Sequence, residues 1–267
     1  MRTLVHLSDL HFGRVHPLIL PPVITFIREL KPDVIAISGD LTQRARTAEF
    51  LAAREFLDAL PFPKVIVPGN HDVPLPNLLS RFIGRLGRYR RYISADLQPV
   101  YINSEIVVVG INTARAFTWK SGRINRAQLA KLRATLQAFP EHTKVVVTHH
   151  PFDLPEGAAG HVVGRSRLAI ATLAECRVDL LLAGHFHIAH TGQTVRRYKI
   201  HGYSAVIVSA GTSTSTRSRG QPNSFNVIRI DRPHLAIERR VWNPKTRQLD
   251  ILSIERFVRT SEGWMRE

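Results

Sequence analysis

Five short polar runs carry the residue types of a metal site: Asp9-Leu10-His11, Gly39-Asp40, Gly69-Asn70-His71-Asp72, His149-His150-Pro151 and Gly184-His185-Phe186-His187. Their donors are carboxylate, amide and imidazole, without a thiolate. Oxygen and imidazole sets of this kind suit borderline divalent ions such as Mn, Fe, Co, Ni or Zn, not a thiolate zinc site. Singly, each run has a plainer reading. Asp-x-His is common, Gly-Asp after a strand is a turn or a helix cap, and His-His-Pro is an ordinary loop. What removes the plainer reading is that all five occur in one chain and each directly follows a short apolar run.

Those apolar runs are the elements that must position the donors. Residues 4–8, 34–38, 64–67, 106–110, 144–148 and 178–182 are short, apolar and bounded by Gly, Pro or charge, which predicts strands covered on both faces. Helical spacing appears between them at 23–30, after two prolines, at 47–60 and at 125–138, with Thr47 read as an N-cap. From about residue 194 strand follows strand, at 195–200, 204–209, 225–230, 235–241 and 249–257, separated by turn residues. The expectation is a layered α/β fold with a largely parallel first sheet and a more antiparallel second sheet made by the strand-rich part from about 194. With no low-complexity linker and no repeat, the 267 residues read as a single domain. In layered α/β folds ligands bind at the carboxyl ends of strands, where all five polar runs fall.

Composition narrows the class further. A hydrophobic fraction of 44% and a charged fraction of 22% are those of a globular protein able to bury a full core. The lone Cys176 excludes an internal disulfide and favours a reducing compartment. The first residues read directly as a strand and not as a secretory signal, and no apolar run approaches the ~20 residues needed to span a bilayer. The expected location is cytoplasmic, with peripheral membrane contact left open. The net charge of +16 is mostly arginine, which a GC-rich coding bias also produces. Arg81, Arg85, Arg88, Arg90 and Arg91 nevertheless cluster without an acid, interleaved with Phe82, Tyr89 and Tyr92. That stretch is either a contact for an anionic membrane surface or nucleic acid, or a solvated helix face.

The ordered set of five motifs, spanning residues 9 to 187, resembles the calcineurin-like metallophosphoesterase superfamily. The resemblance implies an α/β/β/α sandwich of two mixed sheets with a dinuclear metal site at the strand ends. It implies one metal ligated by Asp9, His11 and His187, a second by Asn70, His149 and His185, and Asp40 bridging both. His149 is preferred to His150 because the family ligand lies two positions before the proline. The implied reaction is two-metal hydrolysis, in which a bridging water is acidified for in-line attack on phosphorus. His71 then falls outside the ligand set, placed to stabilise or protonate the leaving oxygen, with Asp72 orienting its ring. The run Gly39-Asp40-Leu41-Thr42-Gln43, with Gly122-Arg123-Ile124 and Gln128-Leu129, is similar to class III cyclic-nucleotide phosphodiesterases and favours a phosphodiester substrate. The hydroxyl-rich segment after residue 209 holds Arg217 and Arg219, the candidate phosphate contacts outside the metal loops. Three competing readings stand beside this one: a lipid-linked pyrophosphatase, a nuclease, and a non-catalytic scaffold that kept the fold.

Overall fold

Strands that are apolar on both faces must be covered on both, and that requirement sets the architecture. The computed structural model describes residues 1–74, 86–115, 121–154, 160–217 and 220–267. The first sheet starts from β1 (Arg2–Leu7), β2 (Val34–Ile37) and β3 (Lys64–Ile66), which are mutually parallel. The second contains β4 (Val100–Ile102), β5 (Ile106–Gly110), β6 (Thr143–Val147), β7 (Leu180–Ala183), β8 (His190–Gln193) and β9 (Val206–Ser209), in the order β4-β5-β6-β7-β9-β8. Its middle four strands are parallel and its two edges antiparallel. The chain then returns to the first sheet with β10 (Ser224–Asp231), β11 (His234–Asn243), β12 (Gln248–Thr260) and β13 (Gly263–Arg266). That sheet is ordered β13-β12-β11-β10-β1-β2-β3, so the strand that opens the chain lies between β2 and β10.

Three apolar clusters hold the layers together. Leu4, Val34, Ala36 and Val65 meet Val108, Val145, Val147, Leu182 and Val208 between the sheets. The alternate residues Val5, Leu7, Ile35 and Ile37 face the other way, onto α1 (Leu20–Leu30), α2 (Thr47–Asp58) and α3 (Gly87–Tyr92). Val107, Val109, Val146 and Leu181 pack on α4 (Arg126–Gln137) and α5 (Ser166–Glu175). Period-2 alternation thus divides one apolar run between two cores. The result is the α/β/β/α sandwich of two mixed sheets that the family resemblance implied.

The partition of strands differs from the sequence expectation. The strand-rich part after residue 194 is not a second sheet of its own. Its β9 joins the middle sheet, and β10 to β13 extend the sheet begun by β1. Residues 195–200 are not a strand either: Thr194–Arg196 is a 3-10 turn that turns Tyr198 inward, its hydroxyl donating to the Phe152 carbonyl at 2.7 Å. Thr47 begins α2 instead of capping it, and the Glu49 carboxylate accepts from the N–H groups of Arg44 and Arg46 ahead of the helix.

Between the sheets lies one imidazole far from any ligand role. His6 is fully buried, with Nε2 2.9 Å from Ser38 Oγ and Nδ1 3.5 Å from the Asn226 amide nitrogen. The amide nitrogen can only donate, so Nδ1 accepts and Nε2–H donates to the serine. Burial pushes the His6 pKa down to about 3. The unfolded chain therefore binds a proton that the folded chain refuses between an ordinary value near 6.5 and about 3. Stability is expected to fall as pH drops through that window. Urea midpoints measured from pH 7 to pH 4 should decline less steeply in His6→Gln than in the wild type. Parallel profiles would remove His6 as a cause.

Candidate metal centre

The polar runs at the ends of β1, β2, β3, β6 and β7 converge on one rim, where the parallel strands of both sheets finish. Backbone hydrogen bonds tie their loops together: Asp9 N–H donates to the Gly39 carbonyl at 3.1 Å, His11 N–H to Asp40 at 2.9 Å and Gly184 N–H to His149 at 3.1 Å. Two groups of donor atoms result. In the first, His187 Nε2 lies 3.4 Å from His11 Nε2 and 3.5 Å from Asp9 Oδ1, and His11 Nε2 lies 3.8 Å from Asp40 Oδ2. In the second, Asn70 Oδ1 lies 2.9 Å from His149 Nε2 and 3.0 Å from His185 Nδ1, with Asp40 Oδ1 3.5 Å from His149 Nε2. Asp40 belongs to both, one oxygen to each. His150 stands beside the second group with Nδ1 2.8 Å from Thr113 Oγ1.

The outer ring nitrogens show which inner ones are free. His149 Nδ1 is 2.8 Å from the Ser38 carbonyl, and His187 Nδ1 is 2.8 Å from Thr212 Oγ1 and 3.1 Å from the Arg217 carbonyl. A carbonyl only accepts, so both Nδ1 atoms carry the proton and both Nε2 lone pairs point inward. Asp9 Oδ1 is buried with no hydrogen-bond partner. Inward lone pairs, an orphaned carboxylate oxygen and an amide oxygen crowd one small volume. Such a donor set fits a divalent cation, because in its absence these acceptors face one another.

Holding them there strains the backbone. Asp9, His11, Asp40, His185 and His187 all have φ between 49° and 77°, a left-handed conformation costing non-glycine residues about 1–2 kcal/mol each. The same tightness explains two glycines. A Cβ on Gly69 would stand 2.1 Å from Asp40 Oδ1, and one on Gly184 would stand 1.8 Å from Ser8 Oγ. Electrostatics follow the packing. Burial would raise the Asp40 pKa, but His149, His71 and His11, with the His71 backbone N–H, outweigh it and hold the carboxyl well below the ordinary range. Asp9, likewise buried, is drawn down by His187, His149 and His11. Burial, aided by His187 and His71, outweighs Asp40 and Asp9 and takes His11 down to about 4, whereas His149 is raised because Asp40 and Asp9 overcome its burial.

The sequence assigned Asp72 to the His71 ring, and the geometry corrects this. Asp72 accepts from the N–H groups of Leu41, Thr42 and Gly69 and from Thr42 Oγ1, knitting two loops together. Burial, then the Asp40 charge, pushes it up to about 6. The ring is held instead by the Gln43 carbonyl, 2.8 Å from Nδ1, and by Arg217 Nη1, 2.8 Å from Nε2. The sequence reading quoted Gln43 without a role and singled out the sixth loop, after β9, for its arginines and not for the contacts its hydroxyls make. Thr212, Ser213, Thr214 and Ser215 are buried there, Ser213 Oγ accepting from Ser8 N–H and Thr214 Oγ1 donating to the Leu10 carbonyl. Its hydroxyl richness was the available signal. Arg219, Arg81 and Arg85 lie outside the described residues. Of the remaining basic stretch, Arg88 donates to the Ala45 carbonyl at 3.0 Å, and the aromatic Tyr89 is buried with its hydroxyl on the Ile66 carbonyl. Arg90 and Arg91 are exposed. Among the described residues no helix is long and apolar enough to cross a membrane.

The calcineurin-like phosphoesterase family model matches residues 2–189, and the chain belongs to that family. The glycerophosphodiester phosphodiesterase GpdQ of Enterobacter lignolyticus is 35% identical over 81 residues, 26% of this chain and 29% of that protein. The probable glycerophosphodiester phosphodiesterase GpdQ of Arcobacter nitrofigilis is 27% identical over 167 residues, 60% of this chain and 59% of its own length. The 3',5'-cyclic adenosine monophosphate phosphodiesterase CpdA of Escherichia coli (strain K12) is 29% identical over 162 residues, 58% of this chain and 54% of that protein. The match thus spans between 29% and 59% of these relatives' lengths. A purple acid phosphatase from yellow lupin seeds superimposes over 94% of this chain and 52% of its own, with a TM-score of 0.70 at 15% identity, a likeness of fold.

Gly69→Ala tests how tightly Asp40 is placed. The added methyl has to displace the carboxylate, so bound Mn measured by elemental analysis is expected to fall, with a stability loss on the order of 1–3 kcal/mol. Full metal content in a folded Gly69→Ala protein would contradict the placement.

Proposed function

We propose that this chain is a phosphodiesterase working with two divalent cations drawn from Mn, Fe and Zn. Asp9, His11 and His187 would hold one, Asn70, His149 and His185 the other, with Asp40 shared. The observation that supports this most is the divergence of the Asp40 oxygens, Oδ2 toward His11 and Oδ1 toward His149. A carboxylate is the one side chain whose two oxygens and charge serve two cations at once. When bound, such a pair supplies Lewis acidity for the phosphoryl oxygens and acidifies water near neutral pH.

The side chains do the remaining work. Ser38, Thr212 and the Arg217 carbonyl fix the His149 and His187 rings with their free nitrogens inward. Asn70 is a neutral oxygen ligand, which leaves its cation more electrophilic than a further carboxylate would. Ser8 Oγ donates to Asp9 Oδ2 at 2.7 Å and the His185 N–H donates to the same oxygen, so Oδ1 is the atom left for a cation. A phosphodiester is the substrate class shared by the names of the relatives, whether glycerophosphodiester or 3',5'-cyclic nucleotide. The pyrophosphatase reading drew on the arginine-rich stretch and the nuclease reading on the overall charge. In that stretch Arg88 and Tyr89 are engaged with the protein itself while Arg90 and Arg91 are exposed, so the phosphodiester reading rests on the metal loops and not on the stretch. One domain is read as carrying the whole site, since β1 at one end and the β9 loop at the other both contribute.

Mn-loaded protein is expected to hydrolyse bis(p-nitrophenyl) phosphate. In a panel of 3',5'-cyclic AMP, glycerophosphocholine, a nucleotide-linked lipid pyrophosphate and single-stranded DNA, the two small diesters, cyclic AMP and glycerophosphocholine, should rank first. Asp40→Ala should lose both activity and metal. Full metal loading with no turnover on any ester would assign the chain to the non-catalytic scaffold class.

A further inference from the structure

His71 sits at the edge of the donor cluster, its ring 4.9 Å from that of His11 and its backbone N–H on Asp40 Oδ1 at 2.8 Å. Its two ring nitrogens are both engaged, and the partners fix their roles. Gln43 offers a carbonyl, which can only accept, so Nδ1 carries the proton. Arg217 offers a guanidinium, which can only donate, so Nε2 presents its lone pair. In this arrangement the imidazole has no N–H left to turn toward a substrate. The guanidinium has five N–H groups, and Nη1 alone reaches His71.

Arg217 is also fixed at its other end. Its carbonyl accepts from His187 Nδ1 at 3.1 Å and its N–H donates to Ser215 Oγ at 3.0 Å. Ser215 and Thr216 in turn donate to the Arg14 carbonyl, beyond the Asp9-Leu10-His11 run. One residue therefore spans the cluster, backbone against a candidate metal ligand and side chain against His71. We infer that Arg217, and not His71, donates to the leaving oxygen of the phosphoester, and that His71 is a positioning residue that aims the guanidinium. The inference rests on the phosphodiesterase reading above. Arginine does not give up a proton in proteins, so it stabilises the negative charge growing on the leaving oxygen while water supplies the proton to the departing alkoxide. An alkoxide needs this help more than a p-nitrophenolate, which carries its charge on the ring.

The experiment uses the full Mn-loaded chain with two diesters, bis(p-nitrophenyl) phosphate and glycerophosphocholine. Arg217→Ala is expected to keep its metal and to lose about 100-fold in kcat on the alkyl diester. The loss on the p-nitrophenyl ester should be clearly smaller, and added guanidinium ion should restore part of the alkyl-diester rate. His71→Gln, whose amide oxygen can still accept from Arg217, should retain far more activity than His71→Ala. In the diamagnetic Zn-loaded chain, the imidazole 15N resonances of His71 should shift in Arg217→Ala. Equal loss on both esters, a change in KM alone, no rescue, His71→Gln as damaged as His71→Ala, or an unmoved His71 resonance would each overturn the inference. Metal-loaded wild type that turns over neither diester would instead overturn the phosphodiesterase reading beneath it.

Discussion

A carboxylate excluded from water is costly unless opposite charge comes with it, and Asp40 is 1% exposed at the meeting point of two sheets. Its oxygens divide between His11 and His149, and its Oδ1 also takes the His71 N–H. The rest of the rim is arranged around that charge. His149 is raised and Asp40 depressed by the same interaction, which marks a place where positive charge is wanted. A proton on His149 can meet part of the demand; a divalent cation between the same atoms meets more of it and leaves both rings neutral. Proton and metal therefore compete for one site.

The left-handed backbone at five donor positions is the conformational side of the same arrangement. Extended strands deliver residues to the rim, but a strand pointing outward cannot turn a side chain back over its own end without an abrupt change of φ. The three apolar cores hold the strands rigidly enough for that strain to persist locally. Gly69 and Gly184 belong to this account, since they let one loop lie against the next at distances no side chain would permit.

Much of this was legible in the residues. The five polar runs, their order and their position after apolar strands led to one cluster, and the apolar strands with helices between them led to a layered α/β fold. Less legible was anything set by pairing over long separations. Nothing local in β10 says that it will lie against β1, so the strand-rich end looked like a sheet of its own. The ring partners of His71 were hidden for the same reason: Asp72 is adjacent in sequence, whereas Gln43 and Arg217 arrive from other loops. Residues 194–200 misled through their β-branched content, although Thr194 and Tyr198 are committed to a turn and a core contact.

The insertion of β1 between β2 and β10 has a kinetic meaning. Asp9 and His11 are made before the other donors, yet the strand that carries them gains its second neighbour only after more than two hundred further residues have been made. The β9 loop that supports His187 and the Leu10 turn is equally late. Pairings of such long range are slow to close and leave a bare strand edge while they wait. The nascent chain must therefore keep its first strand unspent, and the capture of metal ions becomes one of the last events in its folding.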